Sequence, residues 1–348
     1  MMDAVILGAS GYGGGELLRL LSGHPLLRSL RGSSRQHAGK PFHTAHPNLR
    51  GVVNGAFTAE ISFGELAGSE QPVVFAALPH GELAQALPGL EAAWEAAGLA
   101  ERLLLVDLSG DFRLADPAVF QAAYGRPHPC PERLGSFAYG LPEWNREALR
   151  GTRRIASAGC FATALQLALL PLRGLDLGFI AASAATGSSG SGMAPSDTTH
   201  HPTRAQDFRA YKVLDHQHLA EVQAMMGRQG IGGRLGFVPQ SAPLVRGIFA
   251  AVQFALPPGL DAAGLRARAE AAFQGSPFVR MVEGSPRVAA VTGSNFADLG
   301  VAAKGGTGCV LAAIDNLVKG MAGQAIQCMN LALGLEEGTG LMQPGCWP

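Results

Sequence analysis

The sequence predicts an α/β protein that starts with a parallel sheet covered on both faces and continues into a second domain of different texture. Three observations carry this. Short apolar runs alternate with helical stretches through the first half of the chain. A glycine-rich turn follows the first of those runs, beginning at Gly8. The chain is also long, 348 residues, and beyond roughly 250–300 residues a single core tends to divide.

In order along the chain, Ala4–Leu7 reads as a short buried strand that feeds the glycine turn. Glu16–Leu21 reads as a helix stopped near Gly23 and Pro25, and Leu27–Arg31 as a second strand. Val73–Ala77 and Leu103–Leu108 are two further strands, with helical Leu83–Trp94 between them. Past residue 157 a helix spans Ala162 to Leu170 and ends at Pro171, followed by a strand at Phe179–Ala184. Residues 187–209 are polar, rich in Gly, Ser, Thr and His, and without periodicity. A structureless stretch of that length inside a compact domain is usually functional. Gly247–Leu256 is a strand, Leu260–Phe273 a helix, and Val310–Ile314 a strand leading into a long helix from Leu317 to about Leu333. With no repeat and no low-complexity linker, the domain boundary falls within compact structure near 155–160.

Composition narrows the function. Glycine supplies 47 residues, charged residues are only 16%, and Lys+Arg and Asp+Glu are equal at 27 each. The chain is too apolar for a disordered tail and has no collagen-like period. Its neutral charge gives no electrostatic reason to expect nucleic acid or an anionic membrane. The N-terminal residues lack the pattern of a secretory signal, and the longest apolar stretch, Phe161 to Leu172, is a buried helix rather than a membrane span. Five cysteines (Cys130, Cys160, Cys309, Cys328, Cys346) make an odd count without CxxC, which points to a reducing cytoplasm rather than a disulfide framework or zinc cluster.

The turn after the first strand reads Gly8-Ala9-Ser10-Gly11-Tyr12-Gly13-Gly14-Gly15, placing GxxGxxG on Gly8, Gly11 and Gly14. Between a strand and a helix, such glycines let the backbone approach a pyrophosphate and turn helix amides toward it. The bland alternative is a glycine turn in a glycine-rich protein. At the end of the second strand the chain has Arg31-Gly32-Ser33-Ser34-Arg35, with no acid for a ribose 2′-hydroxyl. A hydroxyl and a guanidinium suit a 2′-phosphate, hence NADP; alternatively Arg35 is a solvated surface residue.

Cys160 follows Gly159 where a strand joins a helix. A helix N-terminus favours a thiolate, so Cys160 is a candidate nucleophile, although a lone cysteine in a core is the commoner case. His216-Gln217-His218 with Glu221 three residues on can supply a general acid/base with an orienting carboxylate. The same residues could bind a metal, but no third ligand is obvious, or could sit on a surface. His200-His201-Pro202 either faces substrate or shapes the polar loop.

Taken in order, several blocks resemble the N-acetyl-gamma-glutamyl-phosphate reductase family. They are Gly8-Ala9-Ser10-Gly11-Tyr12, Ala77-Leu78-Pro79-His80-Gly81, Val106-Asp107-Leu108-Ser109-Gly110-Asp111-Phe112-Arg113, Tyr139-Gly140-Leu141-Pro142-Glu143, Gly159-Cys160, Ala210-Tyr211-Lys212, His216-Gln217-His218, Pro243-Leu244-Val245-Arg246-Gly247-Ile248 and Asp315-Asn316-Leu317-Val318-Lys319-Gly320. Ser157-Ala158-Gly159-Cys160-Phe161-Ala162-Thr163 and Thr198–Arg204 depart from the common form and look like the lysine-biosynthesis branch, whose aminoadipyl phosphate is attached to a small acidic carrier protein.

The resemblance implies a Rossmann domain over 1–157, an α+β substrate domain with a mixed sheet over 158–315 (glyceraldehyde-phosphate-dehydrogenase-like), and a helix and tail over 316–348 returning to the first domain. It implies an NADPH-dependent reduction of an acyl phosphate to a semialdehyde, in arginine or lysine biosynthesis, by a dimer or tetramer. Cys160 would be the nucleophile and His218 the acid/base, with Glu221 beside it. Gly8, Ser10, Gly11, Tyr12, Gly14, Ser34, Arg35, Leu78, Pro79 and Asn316 would hold the cofactor, and Ser109, Arg113, His216 and His201 the substrate. An aspartate-semialdehyde dehydrogenase-like enzyme and a non-catalytic NADP-binding regulator are the alternatives.

Overall fold

The structure is a computed structural model, and residues 1–347 are described. The chain forms two compact units, Met1–Ala158 with Met321–Met342, and Gly159–Gly320 with the tail from Gln343.

The first unit is built on strands β1 (Met2–Leu7), β2 (Leu27–Ser33), β3 (Phe57–Thr58), β4 (Gln71–Ala76), β5 (Leu104–Asp107), β6 (Ala138–Gly140) and β7 (Arg154–Ser157). They form one seven-stranded sheet in the order β3-β2-β1-β4-β5-β7-β6, parallel throughout. The central strands are apolar and buried on both faces, as a covered parallel sheet requires. Register aligns their carboxyl ends: Leu7 lies opposite Ala76, Ala76 opposite Asp107, and Asp107 opposite Ala156. Helices α1 (Tyr12–Leu21), α2 (Glu82–Ala96), α3 (Pro117–Tyr124) and α4 (Pro142–Leu149) follow strands of this sheet.

Helix α1 starts at Tyr12, one turn before the Glu16 expected from the sequence. Three consecutive glycines argue against a helix on propensity, yet close packing demands them. A Cβ on Gly14 would sit 2.5 Å from the backbone of Ala9, and one on Gly15 2.5 Å from the ring of His46.

The second unit carries α5 (Cys160–Leu169), β8 (Asp176–Thr186), α6 (His201–Arg204), β9 (Arg209–Ala210), α7 (His218–Arg228), β10 (Gly232–Ser241), β11 (Ile248–Ala255), α8 (Ala262–Ala272), β12 (Val279–Met281), α9 (Val288–Val291), β13 (Ala297–Lys304) and β14 (Thr307–Ile314). Its sheet is mixed, in the order β12-β13-β14-β11-β8-β10-β9, with β8 and β10 parallel and β11 antiparallel to both of its neighbours. Burial alternates along β8 and β11, so one face is core, packed by α5 and α8, and the other exposes Phe179.

Two expectations are revised. Residues 187–209 are not structureless: a 3-10 turn at Ser188–Ser191, α6 and the edge strand β9 organise them. The long helix expected from Leu317 is a π turn, Val318–Ala322, followed by α10 (Gly323–Ala332). Helix α10 belongs to the first unit and is buried, with the amides of Gln327 and Asn330 hydrogen-bonded within that unit. His24 Nε2 donates to Asn330 Oδ1 at 3.1 Å, and Gln327 Nε2 donates to Glu337 at 2.9 Å. No helix among the described residues is long and apolar enough to cross a membrane.

Candidate active site

The glycine turn of the first unit is built for close backbone approach. Gly8 has φ +77°, and a Cβ there would lie 2.5 Å from the carbonyl oxygen of Ala77. Gly11 caps α1 in an extended conformation, with no side-chain cap and no acid in the first helical turn. The opening amides of α1 are therefore not claimed by a side chain, and a Cβ on Gly11 would meet nothing nearer than Gly8 O at 3.8 Å. This is a cradle that fits a dinucleotide pyrophosphate. Ser34 Oγ donates to Ser10 Oγ at 2.9 Å, tying the end of β2 to the turn, while Arg35 is exposed. Tyr12 is also exposed; half-buried Leu78 and exposed Pro79 follow β4. His46, which sequence reading missed, bonds Ala9 O through Nε2 at 2.9 Å. Burial lowers its pKa and keeps the ring neutral, with the proton on the donating nitrogen.

Ser109 and Arg113, expected to hold a substrate anion, bond to the first unit's own chain. The Ser109 amide donates to Asp107 Oδ1 at 2.8 Å, and its hydroxyl accepts from Asp111 N at 3.1 Å. Arg113 donates to Ser157 O at 2.8 Å and to Leu108 O at 3.0 Å. Asp111 accepts from Gly81 N at 2.6 Å and Ala84 N at 3.1 Å, anchoring the start of α2. Fully buried Asp107 is pushed up to about 7, by burial first and by Asp111 second.

In the second unit Cys160 is the first residue of α5, partly exposed, with Gly159 as an extended N-cap. The helix behind it is buried from Phe161 to Leu169 and apolar but for Thr163 and Gln166, which fixes its axis. Gly159 N donates to Glu221 Oε2 at 3.0 Å. Glu221 lies in the first turn of α7, three residues after His218 and hence on the same helix face. The rings of His216 and His218 are 4.7 Å apart and pack edge-on against Phe161, at 5.3 and 6.3 Å. His216 Nδ1 accepts from His218 N at 3.2 Å. Burial, and secondarily Lys212, push the His216 pKa down to about 4.

Tyr211, a further residue missed as a site candidate, packs edge-on against His216 at 6.0 Å. Burial holds its hydroxyl above the ordinary phenol range and the Cys160 charge adds to this, opposed by Arg204. The structure therefore brings Cys160, Tyr211, His216, His218 and Glu221 together. His201 is exposed on α6. From the same short helix, Arg204 donates to Ser241 Oγ and to Ala242 O, at the end of β10. Asn316 accepts from Gly247 N at 2.6 Å and donates to Ser189 Oγ at 3.0 Å. Beside it, Asp315 pairs with Arg246 and accepts from Gly293, Leu317 and Val318 amides. Among the described residues, no three His, Cys, Asp or Glu side chains gather as a metal cage.

A parallel sheet with a dinucleotide cradle, joined to a mixed-sheet unit with a thiol at a helix start, defines a class. The chain belongs to the semialdehyde dehydrogenase family: residues 3–152 match its NAD binding domain and residues 160–316 its dimerisation domain. Within that class it falls with the acyl-phosphate reductases, to which it is similar along its whole length. It is 41% identical to the [LysW]-L-2-aminoadipate 6-phosphate reductase of Deinococcus radiodurans, over 99% of this chain and 97% of that protein. It is 40% identical to the N-acetyl-gamma-glutamyl-phosphate reductase of Methanopyrus kandleri, over all of both chains. The [LysW]-L-2-aminoadipate/[LysW]-L-glutamate phosphate reductase of Sulfurisphaera tokodaii is 36% identical over all of both chains. Among solved structures, aspartate semialdehyde dehydrogenase II from Vibrio cholerae matches with TM-score 0.67 at 17% identity, covering 95% of this chain and 98% of that one. The enzyme with NADP from Candida albicans matches with TM-score 0.61 at 17% identity, covering 95% and 98%. Both show the shared fold.

Proposed function

We propose that the chain uses NADPH to reduce the acyl phosphate of an amino-blocked glutamate or aminoadipate to its semialdehyde, releasing phosphate. The observation that carries this is the turn at Gly159–Cys160, a thiol opening a buried helix beside His216, His218 and Glu221.

The Cys160 thiolate attacks the acyl carbonyl, and amides at the start of α5 donate to the oxyanion that forms. Phosphate leaves, giving a thioester on Cys160. When bound, the reduced nicotinamide supplies a hydride equivalent. His218 supplies the proton taken up as the aldehyde and the Cys160 sulfur separate. Gly8, Ser10, Gly11, Tyr12 and Gly14 would hold the dinucleotide, with Leu78, Pro79 and Asn316 contributing, and Ser109, Arg113, His216 and His201 would serve the substrate. NADP rather than NAD is supported by the hydroxyl and guanidinium of Ser34 and Arg35 after β2, where no acid stands.

A carrier-linked aminoadipyl substrate is supported by the LysW-named relatives and by the residues around Cys160 and Thr198–Arg204. Cysteine usage supports a cytoplasmic location. A homodimer or homotetramer is supported by the family description of residues 160–316 and by the sheet face that exposes Phe179; sedimentation of the purified chain reads the number.

The test runs the reaction backwards. NADP, phosphate and each semialdehyde, acetylated or carrier-bound, are supplied, with aspartate semialdehyde as control, and kcat/KM is compared. A blocked glutamate or aminoadipate semialdehyde is expected to lead. Cys160→Ser keeps nucleotide affinity and loses turnover; near-normal turnover in that variant sinks the reading.

A further inference from the structure

We infer that Glu221 is a positioning residue for the nucleophile, acting through the Gly159 amide rather than on substrate. The inference rests on the reading of Cys160 as the thiol that reacts. At a helix start the amide of the N-cap residue has no intrahelical acceptor. In a capping box, the Glu or Gln at the third helical position reaches back to take it. In α5 that position is Ala162, whose side chain has no acceptor, and Gly159 itself has no side chain to offer. The structure fills the gap from another helix: Glu221 Oε2 accepts from Gly159 N at 3.0 Å. The carboxylate is 2% exposed, and a buried amide left without it would carry a desolvation penalty.

The consequence reaches both reacting groups. Gly159 immediately precedes Cys160, so its amide bond sets the path by which the chain enters α5. His218 lies on the face of α7 that carries Glu221, one turn earlier. One carboxylate therefore fixes the sulfur-bearing turn relative to the acid/base helix. The amides that follow, in the first turn of α5, are the ones the proposed function assigns to the oxyanion.

Glu221→Gln keeps an acceptor oxygen and removes the charge, whereas Glu221→Ala removes both. Two readouts apply to purified full-length protein. The first, hydrogen–deuterium exchange at the Gly159 amide, needs no substrate. Exchange is expected to accelerate about tenfold or more in Glu221→Ala, the loss of one hydrogen bond to a charged group, and to stay near wild type in Glu221→Gln. The second is steady-state kinetics. Glu221→Ala is expected to lose at least about tenfold in kcat with KM within about twofold, and Glu221→Gln to recover most of that loss. Unchanged exchange in Glu221→Ala overturns the inference. So does a Glu221→Gln enzyme that is as slow as Glu221→Ala while its Gly159 amide stays protected, because charge would then be the operative property. A wild-type chain without phosphate-dependent turnover counts against the proposed function instead, and the exchange result alone then decides the role of Glu221.

Discussion

Gly320 packs directly on Cys160: a Cβ at Gly320 would lie 2.7 Å from the Cys160 Cβ and 3.2 Å from its Cα. Both neighbours sit close to backbone, so the clash cannot be relieved by swinging a flexible side chain. Gly320→Ala is expected to cost about 1–3 kcal/mol of stability and to lower kcat more than nucleotide affinity, because the start of α5 must move. Thermal melts and a kcat-against-Kd comparison check this; an alanine variant with wild-type kcat would show that the turn yields without consequence.

The two histidines are expected to separate in the kinetics of their variants. His216 is pushed down to about 4, by burial and then by Lys212, so it stays neutral through physiological pH. His216→Asn is therefore expected to leave the shape of the pH–rate profile intact near neutrality. His218→Asn is expected to lower kcat by about a hundredfold or more, with nucleotide affinity little changed. An effect confined to nucleotide affinity would make His218 a binding residue.

Asp107 gives a stability prediction with a definite sign. Its folded pKa, about 7, is above the ordinary aspartate value of 3.8. Between those values the folded chain holds a proton that the unfolded chain releases. The stabilisation is complete below the unfolded value and is lost as pH rises through about 7. Asp107→Asn keeps an acceptor for the Ser109 amide and cannot ionise. The wild-type melting temperature is expected to fall more steeply than that of the variant from about pH 4 to 7 and to run parallel to it above that; parallel curves throughout would place the proton elsewhere.

Cofactor choice is tested at the end of β2. Arg35→Ala is expected to raise KM for NADPH about tenfold, the loss of a hydrogen bond to a charged group, and to leave KM for NADH nearly unchanged. Equal effects on both nucleotides would remove Arg35 from 2′-phosphate recognition.

Much of this site was legible because it depends on local chemistry. The glycines at Gly8, Gly11 and Gly14 follow directly on an apolar strand, and Gly159-Cys160 opens an apolar helical run, so neighbouring residues carry the signal. Strand β10 was harder to read because Gly232, Gly233, Gly236 and Pro239 mask it. Strand β13, Ala-Asp-Leu-Gly-Val-Ala-Ala-Lys, has few of the branched or aromatic residues that mark strands. His46, Asp111 and Gly320 act on residues far away in the chain, at Ala9, Gly81 and Cys160, and nothing local announces such pairings. The sequence placed Glu221 near His218 through their spacing; its bond to Gly159 is a tertiary fact.

Helix α1 opens Tyr-Gly-Gly-Gly, and each glycine costs about 1 kcal/mol relative to alanine in a helix interior. That first turn has little reason to persist in a short peptide. It is held by Ala9, by His46 and, against Gly13, by Met321 from the far end of the chain. The nucleotide cradle is thus an outcome of assembly rather than a seed for it. A synthetic fragment ending at Leu21 should give a coil-like circular dichroism spectrum, and the cradle should come into being only after residues some three hundred positions downstream have been made.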